Sequence, residues 1–468
     1  MPSPDVADGG CVYSWGGSGA ARGWHGRSGG AGPARRLTGQ LVQSNNRVIQ
    51  LAASRNSLAL LASDGRVLSW GLNDSRGGGD AWFVRGGHVA SIPDSGQLGR
   101  FAALDGARQA REAPAVLAGE LTSEGAVSIA SGRYHALAVG RHSRAVYSWG
   151  LNDHGQLGRA AWAGRSASRP CNQGSRCRDG LPLPVVDVTS PSPSGWVGVR
   201  ASSRMPAAAT VAAGRYFSVA VAIDGTAFAW GRCGCGRLTA AAALPPLPGR
   251  SGEVVRGQTA AADGDWLAAL RPYAMRGGGL EHEHVVAAAV GYAHLMLLTR
   301  EGSLFTCASG DDGYGGRLQR APPPNMFGEL GRDGEPLVPM RIAPSALGTW
   351  PLRSIAAGRC ASFSVDAEGA LRAWGCAQGS GHAVPDKREP APLVALQGRR
   401  VHQIAAGEYH ALAALVDDAT LTWGAGAGGA TPRTVNGLPP HAALYVAAGY
   451  QHSLVVMPCT APPLNEWE

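Results

Sequence analysis

Candidate nucleophiles and phosphate-binding loops would identify an enzyme. Ser28 lies in Gly26-Arg-Ser-Gly-Gly30, which matches the Gly-x-Ser-x-Gly pattern of serine hydrolases. That pattern works where a strand ends and a helix begins, because the sharp turn exposes the serine, whereas Ser28 lies in a glycine-rich stretch. The single lysine, Lys387, follows Pro385-Asp386, so the Gly-Lys-Ser/Thr of a phosphate loop is missing from the sequence. No catalytic motif is predicted.

Potential metal ligands occur in two short clusters. His282 and His284 alternate with glutamates over 281–284 and would share one side of an extended segment. Cys233 and Cys235 are spaced as Cys-Gly-Cys. Neither cluster has a second pair at the spacing of a zinc site. We therefore expect a solvated strand lead-in and ordinary small core residues, with no metal and no cofactor.

Histidines recur at one place in a repeated pattern and could form a catalytic cluster. They are His135, His294, His410 and His452. The equivalent positions in the other repeats hold Ser57, Phe217 and Ala361. A position that accepts Phe and Ala fits packing and backbone hydrogen bonding better than catalysis. We interpret these histidines as structural.

The pattern that carries these histidines occurs seven times. Each copy has a corner of small residues and then an apolar run: LAASRNSLALL (51–61), IASGRYHALAV (129–139), VAAGRYFSVAV (211–221), AAVGYAHLMLL (288–298), IAAGRCASFSV (355–365), IAAGEYHALAAL (404–415) and VAAGYQHSLVV (446–456). A Trp-Gly strand end recurs at 15–16, 70–71, 149–150, 230–231, 374–375 and 423–424, and Cys307 takes the Trp slot of a seventh, degenerate copy. The offset from corner to Trp slot is 16 residues in five copies and 17 in one. Such a constant offset indicates one repeated strand–turn–strand unit.

The turn and edge residues of each unit complete a blade. Asp-Gly or Glu-Gly pairs separate the two apolar runs, as in Asp64-Gly65 and Asp224-Gly225, and Gly supplies the positive φ of a hairpin. A proline with a short apolar stretch precedes the corners, as at Pro114, Pro339 and Pro392. Proline cannot donate to a ladder, so this strand should lie at a sheet edge. The sequence predicts an all-β fold, a seven-bladed β-propeller of four-stranded antiparallel blades.

Closure of the ring is also predicted. No Trp-Gly strand follows the seventh corner run in register, and the N-terminus begins with the missing piece, CVYSWG (11–16). The last blade should therefore pair strands from the two termini, which removes free edges. The expected organisation is a tail at 1–10, one propeller at 11–457 and a tail at 458–468. Exposed loop insertions are expected at about 72–113, 159–183, 188–207 and 240–284, which are rich in Gly, Pro, Ser and Arg.

The net charge and the cysteine content limit which partner and which cellular compartment we expect. The formal net charge is +8, but the arginines are scattered, so direct DNA binding by the fold is not expected. Nine cysteines, an odd number without paired spacing, predict reduced thiols in an intracellular protein, cytoplasmic or nuclear. The N-terminus lacks a signal-peptide pattern and the apolar stretch 285–298 is interrupted, so a soluble protein without a membrane span is expected.

These repeats resemble those of the regulator of chromosome condensation family. The matching features are the Ala-Ala-Gly-x-x-His corner, the Asp-Gly hairpin, the Trp-Gly strand end and Asn-x-x-Gly-Gln-Leu-Gly at 152–158, with partial copies at 95–99 and 327–331. The resemblance covers residues 11–457. It implies three competing roles: a protein-interaction scaffold, a guanine-nucleotide exchange factor for a Ran-like small GTPase, and a propeller similar to the plant UV-B photoreceptor. No appended ubiquitin-ligase or kinase domain is expected.

The two residues after each corner should project from one end of the propeller. They read Arg55-Asn56, Arg133-Tyr134, Arg215-Tyr216, Tyr292-Ala293, Arg359-Cys360, Glu408-Tyr409 and Tyr450-Gln451. None holds the tryptophan of the photoreceptor corners, which disfavours that role. Exchange-active relatives place several acids here, whereas this chain has Glu408 alone, which argues against exchange on Ran itself.

Arginine and tyrosine dominate this predicted end of the propeller. Guanidinium groups bind carboxylates and phosphates bidentately, and Arg and Tyr are enriched at binding hot spots. We therefore hypothesise that this end binds an acidic or phosphorylated protein partner, such as an acidic tail or a chromatin surface. The candidate binding residues are Arg55, Arg133, Tyr134, Arg215, Tyr216, Tyr292, Arg359, Glu408, Tyr409 and Tyr450.

Overall fold

The structure is a computed structural model of the chain. It describes residues 10–16, 34–36, 47–55, 57–71, 82–84, 88–90, 98–99, 111–152, 155–158, 178–185, 205–237, 271–310, 325–349, 351–382, 387–424, 429–450 and 452–458. Ser28, Asn56, most of both predicted tails and much of the four predicted insertions lie outside the described residues.

The described strands form seven four-stranded antiparallel sheets, which are the blades. The chain begins with β1 (Cys11–Gly16) and β2 (Arg35–Arg36). Blade 1 contains β3 (Val48–Ala53), β4 (Ser57–Ala62), β5 (Val67–Gly71) and β8 (Arg111–Val116), and a separate hairpin of β6 (Trp82–Val84) and β7 (His88–Ala90) precedes β8. Blade 2 contains β9 (Ala126–Ser131), β10 (His135–Gly140), β11 (Val146–Leu151) and β12 (Arg178–Pro184). Blade 3 contains β13 (Ala208–Ala213), β14 (Phe217–Ala222), β15 (Ala227–Gly231) and β16 (Tyr273–Ala274).

The remaining blades follow the same order. Blade 4 contains β17 (Val285–Val290), β18 (His294–Thr299), β19 (Leu304–Ala308) and β20 (Met340–Arg341). Blade 5 contains β21 (Leu352–Ala357), β22 (Ala361–Asp366), β23 (Leu371–Gly375) and β24 (Lys387–Pro392). Blade 6 contains β25 (Val401–Ala406), β26 (His410–Leu415), β27 (Thr420–Gly424) and β28 (Gly429–Thr434). Blade 7 combines β29 (Tyr445–Ala448) and β30 (His452–Met457) with β1 and β2.

The helices of the described residues are few and short. They are α1 (Glu120–Glu124), α2 (Pro344–Leu347), α3 (Ala377–Ser380) and two 3-10 turns at Leu280–His282 and Val394–Leu396. Among the described residues, no helix has the length and apolar character that crossing a bilayer requires.

The blades close into a ring. Their innermost strands contact one another in the order β3, β9, β13, β17, β21, β25 and β29, and β29 contacts β3 again. The proline-bearing strands β8, β12, β24 and β28 are outermost in their sheets, where a missing N–H costs no ladder bond. The seven-bladed propeller predicted from the repeats is confirmed.

Blade 7 is closed by both termini, as predicted. All six residues of β1 pair with β30, from Cys11 opposite Met457 to Gly16 opposite His452. The N-terminus supplies the two outer strands of the blade rather than one, because β2 pairs on the far side of β1.

All four predicted insertions include described residues of a blade at their C-terminal ends. Strand β8 begins within 72–113, β12 within 159–183, and β16 with the Leu280–His282 turn lies within 240–284. Residues 205–207, at the end of 188–207, are also part of blade 3, because the Ile223 N–H donates to the Ala207 carbonyl. These outer strands are short and rich in proline or charge, so they lack the alternation by which a strand is recognised.

The expectation of reduced, unpaired cysteines is wrong. Cys235 is bonded to Cys307 and Cys360 to Cys376, with sequence separations of 72 and 16 residues. The register of the repeat brings these pairs together. Cys376 follows the Trp-Gly end of β23, and its N–H donates to the carbonyl of Cys360, which precedes β22, over 2.8 Å. Among the described cysteines, Cys233 is buried and unbonded.

Three of the repeated histidines connect neighbouring blades. The Nε2 atoms of His135, His294 and His410 lie 2.8 Å from the hydroxyls of Ser218, Ser362 and Ser453 on the next blade. The Ser218 hydroxyl donates its hydrogen to the Gln156 carbonyl, so the His135 Nε2–H must donate to that hydroxyl. The Ser362 hydroxyl donates likewise, to the Glu329 carbonyl. These imidazoles therefore serve the blade seams as neutral donors.

Burial keeps these three imidazoles neutral. It lowers the pKa of His135 to about 3 and the pKa values of His294 and His410 to about 4. In the unfolded chain the same side chains protonate near pH 6.5. The unfolded state therefore binds more protons between pH 6.5 and about 4, and stability falls as the pH falls through that window.

The first prediction concerns ring closure. Deleting residues 1–16 removes the whole β1–β30 ladder and should lower the free energy of unfolding by about 3 kcal/mol or more. Thermal unfolding measures this, with deletion of residues 1–9 as the control that leaves β1 intact. A 1–16 deletion that melts with the full-length protein would contradict closure by the termini.

The second prediction concerns pH. Each of the three buried histidines should cost about 1.4 kcal/mol of stability per pH unit below pH 6.5, until its own folded pKa is reached. Burial raises the pKa of Glu329, which acts in the opposite direction, so the informative quantity is the difference between variants. The melting temperature should fall less between pH 6.5 and 4.5 in His135→Gln than in wild type, because the variant takes up one proton fewer on unfolding. The exposed His282→Gln should leave the slope unchanged; equal slopes for all three proteins would refute the assignment.

Candidate partner-binding site at the propeller axis

The corners of the seven repeats meet around the propeller axis. The N–H groups of Arg133, Tyr292 and Glu408 donate to the corner carbonyl of the following blade over 3.0 to 3.1 Å, and the Tyr450 N–H reaches Ser54 over 3.3 Å. These bonds join corners 2 to 3, 4 to 5, 6 to 7 and 7 to 1. The corner residues are therefore fixed by backbone contacts between blades and not only by their own strands.

Glycine is required at these corners by space. A Cβ on Gly132 would lie 2.4 Å from the Gly214 carbonyl oxygen and 2.4 Å from Cε1 of His135. A Cβ on Gly407 would lie 2.2 Å from the Gly449 oxygen. Real Cβ atoms do not approach this closely, so the Ala-Ala-Gly pattern records how tightly the blades converge.

A small cavity lies at this convergence. Its volume is about 90 Å³, and each of the seven corners contributes residues to its wall. That volume equals the space of about three water molecules. It can admit a carboxylate or phosphate group, but not a folded ligand.

Arginine and tyrosine side chains pack together at this cavity. Tyr292 is the hub: the guanidinium carbons of Arg133, Arg215 and Arg359 lie 5.3, 4.3 and 5.4 Å from its ring centre. The Arg133 guanidinium also donates to the Tyr292 hydroxyl over 2.5 Å. Cation–π contacts are strongest where water is excluded, so this cluster rigidifies the axis.

Two further contacts extend the cluster towards blades 6, 7 and 1. The Arg359 guanidinium donates to the Tyr409 hydroxyl over 2.6 Å, and the Tyr409 and Tyr450 rings meet edge to face with centres 5.1 Å apart. Arg55 lies 4.2 Å from the Tyr450 ring centre. The structure thus brings the sequence-predicted residues of all seven corners together at one end of the axis.

Exposure divides these residues into two groups. Arg55, Arg133 and Arg215 are only 3%, 8% and 2% exposed, and Tyr134 and Tyr216 are buried as well. A partner can touch the half-buried members, which are Tyr292, Arg359, Glu408, Tyr409 and Tyr450. The expectation that the two residues after every corner project from the end is therefore wrong for blades 1 to 3, where each guanidinium stacks on a tyrosine instead.

The described wall of the cavity is rich in arginine. It contains four arginines and one acid, Glu408, whose carboxylate lies 3.9 Å from the Arg133 guanidinium. Burial disfavours the charged form of Arg133, but the oxygens of Tyr134, Glu408 and Tyr292 outweigh it and hold the pKa above its usual value. Burial and the Glu408 carboxylate raise the pKa of Tyr409, so its phenol stays protonated. The Tyr409 hydroxyl is therefore available as a hydrogen-bond donor or acceptor at the rim of the cavity.

The geometry does not assemble a metal or catalytic cluster. Within the described ranges, no three His, Cys, Asp or Glu side chains converge as metal ligands would. The repeated histidines His135, His294 and His410 each face a serine of the next blade rather than one another. Sequence reasoning missed the role of Tyr292 as hub, because its corner was one of seven similar ones and the stacking partners come from three other blades.

Comparison with known proteins agrees with this architecture. The family model described as the regulator of chromosome condensation (RCC1) repeat matches residues 126–156. Protein pim1 of Schizosaccharomyces pombe is 26% identical over 310 residues, which cover 64% of this chain and 47% of pim1. The crystal structure of Prp20p from Saccharomyces cerevisiae superposes with a TM-score of 0.64 at 19% identity, covering 96% of this chain and 91% of that one. The chain is a propeller with repeats similar to RCC1 repeats.

Relatives of this RCC1-type propeller include much longer proteins. The probable E3 ubiquitin-protein ligase HERC6 of Homo sapiens is 29% identical over 202 residues, 43% of this chain. The chain spans 14% of HERC6 and about half the length of pim1. The resemblance inferred from the repeats is confirmed, and it concerns the propeller.

The third prediction separates the buried from the accessible arginines. Arg215→Gln removes a desolvated guanidinium from two tyrosine rings, Tyr216 at 4.6 Å and Tyr292, and should lower stability by about 2 kcal/mol. Arg359→Gln removes a half-buried one and should cost about 1 kcal/mol or less. Urea unfolding of both variants tests this. Equal stabilities for Arg215→Gln and wild type would show that the cluster does not support the axis.

Proposed function

We propose that the protein is an interaction platform that binds an acidic or phosphorylated segment of a partner protein at the axial Arg/Tyr cluster. The observation that carries this is the composition of the axial cavity, because its described wall contains four arginines, two tyrosines and one acid and is partly open to solvent. Guanidinium groups form paired, charge-assisted hydrogen bonds with carboxylates and phosphates.

The size of the cavity supports a side-chain ligand. About 90 Å³ accepts one anionic group, so the rest of the partner must lie across the rim. The rim offers Arg359, Tyr409 and Tyr450, which are half-buried and already fixed by mutual contacts. Rigid aromatic and arginine side chains lose little entropy on binding, which favours them as contact residues.

The fourth prediction tests the site with defined peptides. A fluorescein-labelled oligo-glutamate peptide, alone or with phosphoserine, should bind the full chain, and an oligo-glutamine peptide of equal length should not. Affinity should weaken as salt rises, because the contact is between charges. Arg359→Gln should weaken binding about tenfold, which corresponds to one charge-assisted contact.

A matched control distinguishes binding at the axial cavity from attraction to positive charge elsewhere on the protein. Arg433 is exposed on the outer strand β28, far along the blade from the axis, so Arg433→Gln removes the same charge elsewhere. Its affinity should equal that of wild type. Equal losses in Arg359→Gln and Arg433→Gln, or binding that ignores salt, would overturn the proposal. Glutamate at Arg133 or Arg215 is not a usable test, because both side chains are buried and the fold itself would suffer.

Nucleotide exchange on a Ran-like GTPase is a second candidate. The comparison structure of Prp20p was described with its binding properties to Gsp1p and histones. At 19% identity the likeness concerns the fold. Glu408 is the one acidic residue of the corner slots, and its carboxylate lies beside the Arg133 guanidinium while remaining partly exposed to solvent. Release of labelled GDP from a Ran-like GTPase, with and without this protein, tests exchange independently of the peptide assay.

A further inference from the structure

In three blades, the tryptophan of the repeat bonds its blade to the one before it. The indole N–H of Trp230 donates to the Gln156 carbonyl over 3.0 Å, that of Trp374 to Glu329 over 3.0 Å, and that of Trp423 to Gly379 over 3.1 Å. Each acceptor lies in the loop that follows the Trp-slot strand of the preceding blade. We call this indole–carbonyl bond the tryptophan latch.

The loop that accepts the latch has a constant form. After the acceptor come one residue and a glycine with positive φ, as in Gln156-Leu157-Gly158 and Glu329-Leu330-Gly331. The glycine is needed because a Cβ on Gly158 or Gly331 would lie 2.8 or 2.6 Å from the next indole Nε1. The residue before it is Leu98, Leu157 or Leu330 in three blades, and all three are buried.

The seam between blades 3 and 4 departs from this pattern at every position. The histidine slot is Phe217, the serine slot Leu295 and the tryptophan slot Cys307, so the hydrogen-bonding groups are gone. Leu295 pairs with Cys307 across β18 and β19, as Ser218 pairs with Trp230 across β14 and β15. The slot of the buried leucine holds Cys235, directly before the positive-φ Gly236.

These two exceptional residues are bonded to each other. Cys235 and Cys307 form a disulfide with their Cα atoms 5.8 Å apart, and both side chains are fully buried. A covalent bond therefore joins the same two slots, acceptor loop and Trp-slot strand, that the tryptophan latch joins elsewhere. The Cys360–Cys376 disulfide, by contrast, stays within blade 5 and crosses no seam.

We propose that the Cys235–Cys307 disulfide is the latch of the blade 3–blade 4 seam, so that closure of the propeller at this seam depends on thiol oxidation. Forming the bond takes two electrons and two protons from the two thiols. A low-molecular-weight disulfide is the oxidant and leaves as two thiols. A dithiol reverses the step, restores both cysteine thiols and becomes a cyclic disulfide itself.

The neighbouring free thiol does not compete for this bond. Cys233 lies two residues before Cys235, but burial raises its pKa, and the thiolate is the form that attacks a disulfide. Its carbonyl and that of Cys235 both accept hydrogen bonds from the Tyr273 hydroxyl over 2.9 Å. Tyr273, on the outer strand of blade 3, thus holds the loop in the position from which Cys235 reaches Cys307.

The fifth prediction is a stability difference between the oxidised and reduced protein. Mass spectrometry of protein purified without reductant should find the Cys235–Cys307 peptide pair. After incubation with dithiothreitol in mild denaturant and refolding, the melting temperature should fall by on the order of 5 °C, because the closed loop is long. Free thiols at both positions in the untreated protein, or equal melting temperatures before and after verified reduction, would overturn the proposal.

Two variants make the test specific. Dithiothreitol also reduces Cys360–Cys376 and the disulfide of Cys11, so the comparison is repeated in a Cys11→Ser, Cys360→Ser, Cys376→Ser background, where the fall must persist. In that same background, Cys307→Trp with Cys235→Leu rebuilds the latch with the residues that other blades use, and its melting temperature should not respond to reductant. If that variant fails to fold, the comparison in the serine background decides alone, since a fall that vanishes there assigns the effect to the other disulfides.

Discussion

The close approach of seven backbone corners to one axis is the constraint on which the rest of the structure depends. At Gly132, Gly291 and Gly407 a single added carbon would overlap the carbonyl of the following corner, so the repeat must place glycine there. Once the corners are this close, the next residue has its N–H on the neighbouring carbonyl and its side chain directed to the axis. Packing at the axis, charge at the axis and access to the axis all follow from that backbone geometry.

Four arginines forced into one small space would repel one another unless their charge were distributed. Tyrosine rings supply that distribution, because the face of an aromatic ring is negative and Tyr292 contacts three guanidinium groups at once. The Glu408 carboxylate adds one full counter-charge beside Arg133. Stacking on tyrosine therefore lets the arginines of different blades lie side by side at the axis.

The repeat was readable from sequence because its offsets are constant and each slot has a physical reason. Hairpin glycines, Trp slots and corners located the three inner strands of every blade and the closure through Cys11–Gly16. The outer strands were placed imprecisely, since β16 and β20 are two residues long and carry no period. The burial of Arg133 and Arg215 could not be read either, because it depends on Tyr292, a residue more than 70 positions away that only the closed ring brings near. The Cys235–Cys307 bond could not be predicted for the same reason, because its partners are 72 residues apart in different blades. The Cys360–Cys376 pair has the 16-residue offset of the repeat and could have been predicted from it.

The seams explain why the repeat tolerates so much substitution without losing the ring. At the blade 2–blade 3 and blade 4–blade 5 seams, one carbonyl, Gln156 or Glu329, accepts both the next tryptophan and the next serine, and the serine in turn accepts from a buried histidine. At the blade 5–blade 6 seam, Ala361 and Ala411 have replaced histidine and serine, and the Trp423 latch alone remains. A backbone hydrogen bond from the Val401 N–H to the Gly369 carbonyl over 2.8 Å also crosses that seam. The blade 3–blade 4 seam has lost the indole bond as well, and the cores of both blades are continuous there through Phe217, Leu295 and Cys307. Backbone hydrogen bonds still cross it, from the Val285 N–H to the Gly225 carbonyl over 3.0 Å and from the Gly234 N–H to the Ser309 carbonyl over 2.7 Å. Because apolar packing is non-directional, the Cys235–Cys307 bond adds a directional side-chain contact between the acceptor loop and the Trp-slot strand, the two elements that Trp230, Trp374 and Trp423 join at other seams.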